Sequence, residues 1–303
     1  MAFAQGSRSG LSYIVESTFG TTPAGNFTAI PYNSHSLNLT KERVSGNEIQ
    51  PDRMLRVDRH GNRQTAGDIV VDLRDGNFDP FLESALQNAW STTTLKVGVT
   101  PKFFSIEDAA NDIAQYRLFT GMSVSSMAVS IAPNQMVTAT FGMVGKDMTI
   151  SGTGKTVDDA TIAQPFDAYS GDVAIGDVAS SSASAIVTSL DFSIDNAVTP
   201  TFVVGDDATP QLLSGMATVE GTFTAYFEDA ALINRFINET ESELVVSVDD
   251  PTGANEYTFT FPKIKINGAD VPVGDAGARV ITLPFVALYD ATEDTNLTIT
   301  RPA

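Results

Sequence analysis

His35, His60 and the stretch GTGKT (152–156) have the first claim on chemistry in this chain. Two histidines without cysteine partners are too few and too far apart for a metal cluster, and each reads as a plain surface residue. The chain has no Cys at all, which removes thiol catalysis, thiolate metal sites and a disulfide scaffold. GTGKT resembles the end of a phosphate loop, but that loop needs a glycine at position 149, where Thr149 stands, and no helical pattern follows. It reads as a joint between segments. No G-x-S-x-G nucleophile elbow occurs. The acidic pairs Asp158–Asp159 and Asp249–Asp250 lack calcium-loop spacing and lie in turn-like sequence. With 37 Asp+Glu, paired carboxylates for glycoside hydrolysis are always available, yet nothing nominates one pair. The single Trp90 follows a helix pattern and suits a core better than a sugar-binding cleft. No catalytic residue, metal ligand or cofactor emerges, and the expectation is a protein that is not an enzyme.

Charge is more informative. The chain carries 18 Lys+Arg and 37 Asp+Glu, a formal net charge of −19. Residues 1–152 hold 12 basic and 14 acidic residues (12 − 14 = −2), and residues 153–303 hold 6 and 23 (6 − 23 = −17). Tight binding of nucleic acid by the second half is therefore unexpected, because phosphate contacts need Lys and Arg. Lys41, Arg43, Arg53, Arg56, Arg59 and Arg63 cluster in one stretch, 41–66, which reads as a long loop. Glu42, Glu48, Asp52 and Asp58 interleave with them, and stacking aromatics are missing. A mixed-sign, Arg-weighted loop suits a protein interface better than nucleic acid. The matching stretch of the second half, 196–215, has no Lys or Arg and contains Asp206 and Asp207.

The elements around these residues alternate with period 2 and are rich in Val, Ile, Thr and Phe. Examples are HSLNLTKE (35–42), GDIVVDL (67–73), MSVSSMAVSI (122–131), MVTATFGMVG (136–145), TSLDFSID (188–195), ATVEGTFTAYF (217–227), ELVVSVDD (243–250), EYTFTFPKIKI (256–266) and ARVITLPFVALY (278–289). Such alternation marks strands with one buried face. Two helices are expected. The first is capped by Asp79, has Pro80 in its first turn, and buries Phe81, Leu82, Ala85, Leu86 and Ala89. The second is capped by Glu228 or Asp229 and buries Leu232, Ile233, Phe236 and Ile237. No apolar run reaches the about 18 residues that span a bilayer, and no export signal follows Met1, so a soluble, unexported chain is expected.

The order strand, polar stretch, strand, acidic turn, helix occurs twice. Leu37 matches Leu190 (190 − 37 = 153), Gly67 matches Gly221 (221 − 67 = 154), and Phe81 matches Phe236 (236 − 81 = 155). After the helix, Tyr116 and Tyr257 each precede a further strand pair. The expectation is an internal duplication, residues 1–152 and 153–303, joined in the small polar stretch 151–172. Two unrelated β domains are the alternative.

Several stretches then resemble one family. GSRSGLSYIVESTFGTTP (6–23), SHSLNLTKERVSGNEIQPDR (34–53), the block from GDIVVDL to FDPFLESALQNAW (67–90), YRLFTGMSVSSMAVSI (116–131) and the closing LPFVALYD to TNLTITR (283–301) are similar to the major tail tube proteins of long, flexible-tailed bacteriophages. The resemblance implies two tandem antiparallel β-sandwich or barrel domains, each with one flanking α-helix. It implies a virion protein, made in the host bacterial cytoplasm, that forms rings stacked into a tube for DNA ejection. Its partners would be itself, other tail proteins at the tube ends, and DNA as transient cargo, with no membrane. A duplicated chain then implies a trimeric ring with pseudo-sixfold symmetry, with a hexamer as the alternative. The Arg-bearing stretch of the first half would contact an adjacent subunit or ring, with Asp206 and Asp207 as acidic partners. Asp68, Asp72, Glu220 and Glu228 would face the lumen and repel the DNA backbone. The alternative function is a β-sandwich binding module that does not polymerise, such as an adhesin or capsid decoration protein.

Overall fold

The computed structural model describes residues 3–52, 54–161, 163–178, 180–184, 187–273 and 277–302. Arg53 lies outside the described residues. A 3-10 turn at Gly6–Arg8 leads into β1 (Ser9–Glu16), β2 (Phe27–Ala29), β3 (Ser34–His35), β4 (Asn38–Ser45) and β5 (Asp58–Asp72). Helix α1 (Asp79–Leu86) is followed by β6 (Thr94–Lys96), β7 (Phe103–Ala110), β8 (Gln115–Ile131), β9 (Thr138–Gly145), β10 (Asp147–Ser151) and β11 (Val157–Asp158). Next come β12 (Asp167–Asp177), β13 (Ser180–Ser184), β14 (Val187–Asp195), β15 (Thr199–Pro200), β16 (Leu212–Leu213) and β17 (Thr218–Tyr226). Helix α2 (Ala231–Ile237) precedes β18 (Ser242–Asp249), β19 (Glu256–Ile266), β20 (Val280–Ala287) and β21 (Thr298–Thr300). The protein is mainly β.

Strand β8 organises the first half. Its N-terminal part pairs with β7 and β10, in a sheet ordered β11–β2–β1–β7–β8–β10. Its C-terminal part pairs with β9 on one side and β14 on the other. Seventeen residues are long enough to serve two sheets, and a register shift between Val124 and Ser126 marks the passage from one to the other. The second sheet runs β4–β5–β9–β8–β14–β17–β20–β19, crossing from the first half into the second without interruption.

Six pairings of the first half have counterparts in the second. These are β1–β7 with β12–β18, β7–β8 with β18–β19, β8–β9 with β19–β20, β5–β9 with β17–β20, β4–β5 with β14–β17, and β8–β10 with β19–β21. The ladders place Leu37 opposite Gly67, between the His35–Ile69 and Asn38–Ala66 pairs, and Phe192 opposite Gly221. Leu37 thus corresponds to Phe192 rather than Leu190 (192 − 37 = 155). Both glycines are required by close approach. A Cβ on Gly67, whose φ is +148°, would lie 2.6 Å from the Ser36 carbonyl, and one on Gly221 would lie 2.5 Å from the Phe285 ring.

The 41–66 stretch is a hairpin more than a loop. β4 and β5 pair along it from Asn38–Ala66 to Ser45–Asp58, and only 46–57 connects them. Period-2 burial cannot announce such a ribbon, because both of its faces are polar and wet. The helices also differ from expectation. Phe78, not Asp79, holds the N-cap of α1, and its stripe Phe81, Leu82, Ala85 and Leu86 is buried while Ala89 is exposed. The Phe81 ring stands 4.8 Å from Phe104, 4.9 Å from Tyr13 and 5.4 Å from Phe141, so it joins the two sheets. Ala230, not Glu228 or Asp229, holds the N-cap of α2; the Asp229 carboxylate accepts the Ala231 N–H at 2.7 Å from just outside the helix. Its stripe is not buried, however: Leu232 and Ile233 lean on the core, while Phe236 and Ile237 stay exposed. Phe192 packs directly on Phe259 and Phe261 instead, each at 5.1 Å.

The two halves share one apolar core and one polar lock. The buried Tyr257 hydroxyl donates to Asp79 at 2.6 Å and accepts the Gly76 N–H at 3.1 Å. Arg301 closes on the same Asp79 carboxylate and stacks 4.4 Å over Trp90. Burial, followed by the Asp79 charge, pushes the Tyr257 hydroxyl well above its ordinary pKa, so it stays a donor. Asn196 of the second half donates to the Ala85 carbonyl of α1 at 2.8 Å. The junction GTGKT and β11 sit with the first half: Lys155 N–H donates to the buried Glu107 at 2.9 Å, and β11 pairs with β2. Replacing Tyr257 by Phe leaves Asp79 Oδ1 and the Gly76 N–H without this partner, while Arg301 keeps Asp79 Oδ2. Urea unfolding is expected to show a loss of about 1–3 kcal/mol; an unchanged midpoint would mean that the lock contributes nothing.

Candidate functional site

The continuous sheet has two unlike faces. Its inner face carries Ile69, Val71, Phe141, Met127, Val129, Phe192, Ile194, Phe223 and Leu283, all buried. The other face follows from strand alternation and is read best along the rows that cross the strands. One row runs Asp68, Gly142, Ser126, Asp195, Thr218. The next runs Val70, Thr140, Ala128, Ser193, Glu220, Val286. A third runs Asp72, Thr138, Ser130, Asp191, Thr222, Pro284. Each row crosses from the first half into the second and each carries at least one carboxylate; the second row ends on β19 at Lys265, opposite Val286, whose ammonium is held by Glu239 at 2.6 Å.

This face is concave. A depression of about 500 Å³ lies at its centre, floored by Ala128, Ser130, Thr140, Asp191, Ser193 and Glu220 among others. Ser130 donates to Asp191 at 2.5 Å, and Asn33 donates to Asp72 at 2.7 Å. The surface is short, hydroxylated and acidic, without a nucleophile–base pair. Among the described residues no group of three or more His, Asp or Glu is placed to hold a metal ion. No helix among the described residues is long and apolar enough to cross a membrane.

Three of the expected acidic residues, Asp68, Asp72 and Glu220, share this face. Glu228 does not belong to it, because β17 ends at Tyr226 and Glu228 lies in the link to α2. Sequence reading passed over Asp191 and Asp195, whose alternation with the buried Leu190, Phe192 and Ile194 was the available signal. His35 is not a plain surface residue either. Its Nε2 lies 3.5 Å from Asp108, and its ring meets Tyr32 edge-on at 5.4 Å. Burial pushes the Asp108 carboxyl up, but hydrogen bonds from His35 and Arg117 outweigh this and hold it below its usual range.

The basic residues occupy the β4–β5 hairpin, which extends as an arm beyond the part of β5 that pairs with β9. Arg43 binds Asp58 at 2.7 Å, and Arg56 binds Asp52 within the same connection. Arg63 is different. It sits at the root of the arm, 3.2 Å from Asp147 and 3.3 Å from Asp207, and its N–H donates to the Asp207 carbonyl at 2.8 Å. The two halves therefore meet through Arg63 and Asp207 inside one chain. Asp206 accepts the Ala208 N–H at 3.0 Å, closing its own turn. Lys41 and Arg59 lie on the exposed ribbon. The arm also carries exposed apolar side chains: Val44, Ile49, Met54, Leu55 and Val57, of which Ile49 is 99% exposed.

A family model described as phage tail tube protein matches residues 6–287. Comparison with curated proteins gives no match. Arg63→Ala removes the side-chain tie between the arm and both acidic neighbours and leaves the backbone bond to Asp207. Limited proteolysis is expected to cut the 41–60 stretch faster in this variant than in the parent; equal rates would show that the ladder alone holds the arm.

Proposed function

This chain belongs to the phage tail tube protein family, and we propose that it polymerises as stacked rings into the conduit through which DNA leaves the particle. Its coarse role, a structural component of the virion tail, comes with the family. The observation that carries the finer reading is the concave face of the continuous sheet, which is hydroxylated and acidic, its one row-end cation, Lys265, being paired with Glu239 at the β19 margin. A wall of that kind repels a passing phosphate backbone and gives it nothing to grip. DNA is then transient cargo, and the tube ends meet other tail proteins.

The same reading takes the chain as one domain written twice, 1–152 and 153–303, and the six recurring pairings support it. Because β11 and the GTGKT stretch pack on the first half, the structural seam falls nearer Phe166 than residue 152. Each chain contributes eight strands to the continuous sheet, β4, β5, β9, β8, β14, β17, β20 and β19. Three chains would close 3 × 8 = 24 strands into a barrel about 45–50 Å across its backbone, wider than the 16–18-stranded porins that already hold an aqueous channel. Closure would also bury the open edges of the sheet. The arm, with Lys41, Arg43, Arg56 and Arg59 beside its bare apolar residues, reaches the neighbouring ring in this account.

Electron microscopy of the concentrated protein, with native mass spectrometry, tests this directly. Tubes built from rings of three chains are expected. In the double reversal Arg56→Glu/Arg59→Glu, rings are expected to form but to stack poorly. Rings of six would overturn the pseudo-sixfold assignment, and a particle that never polymerises would overturn the tube.

A further inference from the structure

We propose that ring closure uses one defined pair of strand edges. The β4 edge of one chain adds to residues 268–273 of the next, in the register that β14 keeps with β8 inside a single chain. The proposal rests on the tube reading above and specifies its subunit contact.

Within the chain, the internal junction is the pairing of β8 with β14. Ala128 faces Ser193 there, flanked by Val129–Phe192 and Met127–Ile194. Each side of this junction has a counterpart whose edge is open among the described residues. Thr140 of β9 pairs with Ala128, and it faces Val70 across β5. Thr282 holds the same place in the second half: it faces Thr224 across β17, and it bridges Asp270 on its other side. Asp270 therefore stands where Ala128 stands. On the other side, Ser193 pairs with Glu220 and Asn38 pairs with Ala66, and the offset of 154 that relates Gly67 to Gly221 along β5 and β17 also relates Ala66 to Glu220 (220 − 66 = 154). Asn38 therefore stands where Ser193 stands. The junction between chains is then Asn38–Asp270, flanked by Leu37–Val271 and Leu39–Ala269.

Three independent features agree with this register. The first is burial. Leu37 and Leu39 face inward on β4, and Ala269 and Val271 lean on the core, as Phe192, Ile194, Met127 and Val129 do at the internal junction. Asn38 and Asp270 are exposed and would extend the polar face. The second is hydrogen bonding. Ser36 N–H donates to Asp68 at 2.9 Å, which turns the amides of Leu37 and Leu39 to the open edge. Asp270 and Thr282 exchange bonds of 3.0 and 2.8 Å, which turns those of Ala269 and Val271 outward as well. Leu37 would thus meet Val271 as a hydrogen-bonded pair. At the internal junction Asn196 N–H donates to the Ser125 carbonyl at 2.9 Å, which makes Phe192–Val129 the same kind of pair. The third is exposed apolar surface at the open edge itself: Val273, which follows Val271 on the inward side, is 72% exposed. The Val271 carbonyl already accepts one bond from Arg279, at 3.1 Å, and its second lone pair serves Leu37.

The chain has no Cys, so a cross-link can be placed cleanly. Asn38 and Asp270 would be a non-hydrogen-bonded pair, with Cβ atoms about 4.5–5.5 Å apart. In the variant Asn38→Cys/Asp270→Cys, oxidation after assembly is expected to yield covalent multimers on a non-reducing gel. The variant Ser193→Cys/Ala128→Cys should close within one chain and calibrates the chemistry. Asn38→Cys/Val271→Cys, one residue out of register, should link at least about tenfold more slowly. Rings or tubes that form normally while the 38–270 pair stays reduced would overturn the proposed edge pairing and leave the tube reading standing. A parent protein that forms no ring at any concentration would overturn the tube reading itself, and the pairing with it.

Discussion

The structure depends on the β8 strand and on its ability to belong to two sheets at once. Its first residues close the sandwich of the first half against β7 and β10. Its last residues carry the second sheet across to β14. Without that ladder the chain would be two β layers tied by a linker. With it, eight strands form one surface, and the Tyr257–Asp79–Arg301 lock and the Asn196–Ala85 bond hold the halves at a fixed angle. A ladder of backbone hydrogen bonds is a rigid way to join two units, because each bond must find its partner in register.

From that continuity comes the contrast between faces. Strand alternation sends Phe, Ile, Leu and Met to one side and Ser, Thr, Asp and Glu to the other. Because the strands line up across both halves, the polar side chains form rows instead of scattered points. The first half has a net charge of only −2, so its acids are mostly balanced, and five of its eight Arg fall in the 41–66 stretch. The result is a separation of charge: exposed cations on a projection, and carboxylates across a face whose only row-end cation, Lys265, is already paired with Glu239.

Much of this was legible in the sequence. EYTFTFPKIKI at 256–266 coincides with β19, and TSLDFSID at 188–195 falls within β14. The glycines that open the two matching segments, Gly67 and Gly221, are both places where a neighbouring chain segment leaves no room for a Cβ. What escaped has physical reasons. The arm strands have no buried face, so their pairing rests on backbone bonds that leave no apolar period. β13 is built from Ser and Ala, which carry little strand signal. Helix α2 has an apolar stripe like that of α1, but Phe259 and Phe261 fill the space that α1 takes in the first half, and the stripe stays partly bare. Asp79 looks like a cap because it precedes Pro80, yet its carboxylate is drawn to Tyr257 and Arg301, which lie 178 and 222 residues away in sequence.

The central claim is that the hydroxyl and carboxylate face of the continuous sheet lines an enclosed channel. A single cysteine at Ser193, in the middle of that face, tests it in assembled tubes. A small maleimide should label this position fully, while a maleimide carrying a polymer too large to enter should label only the subunits near tube ends. Equal labelling by both reagents along the whole tube would place the face outside and contradict the account.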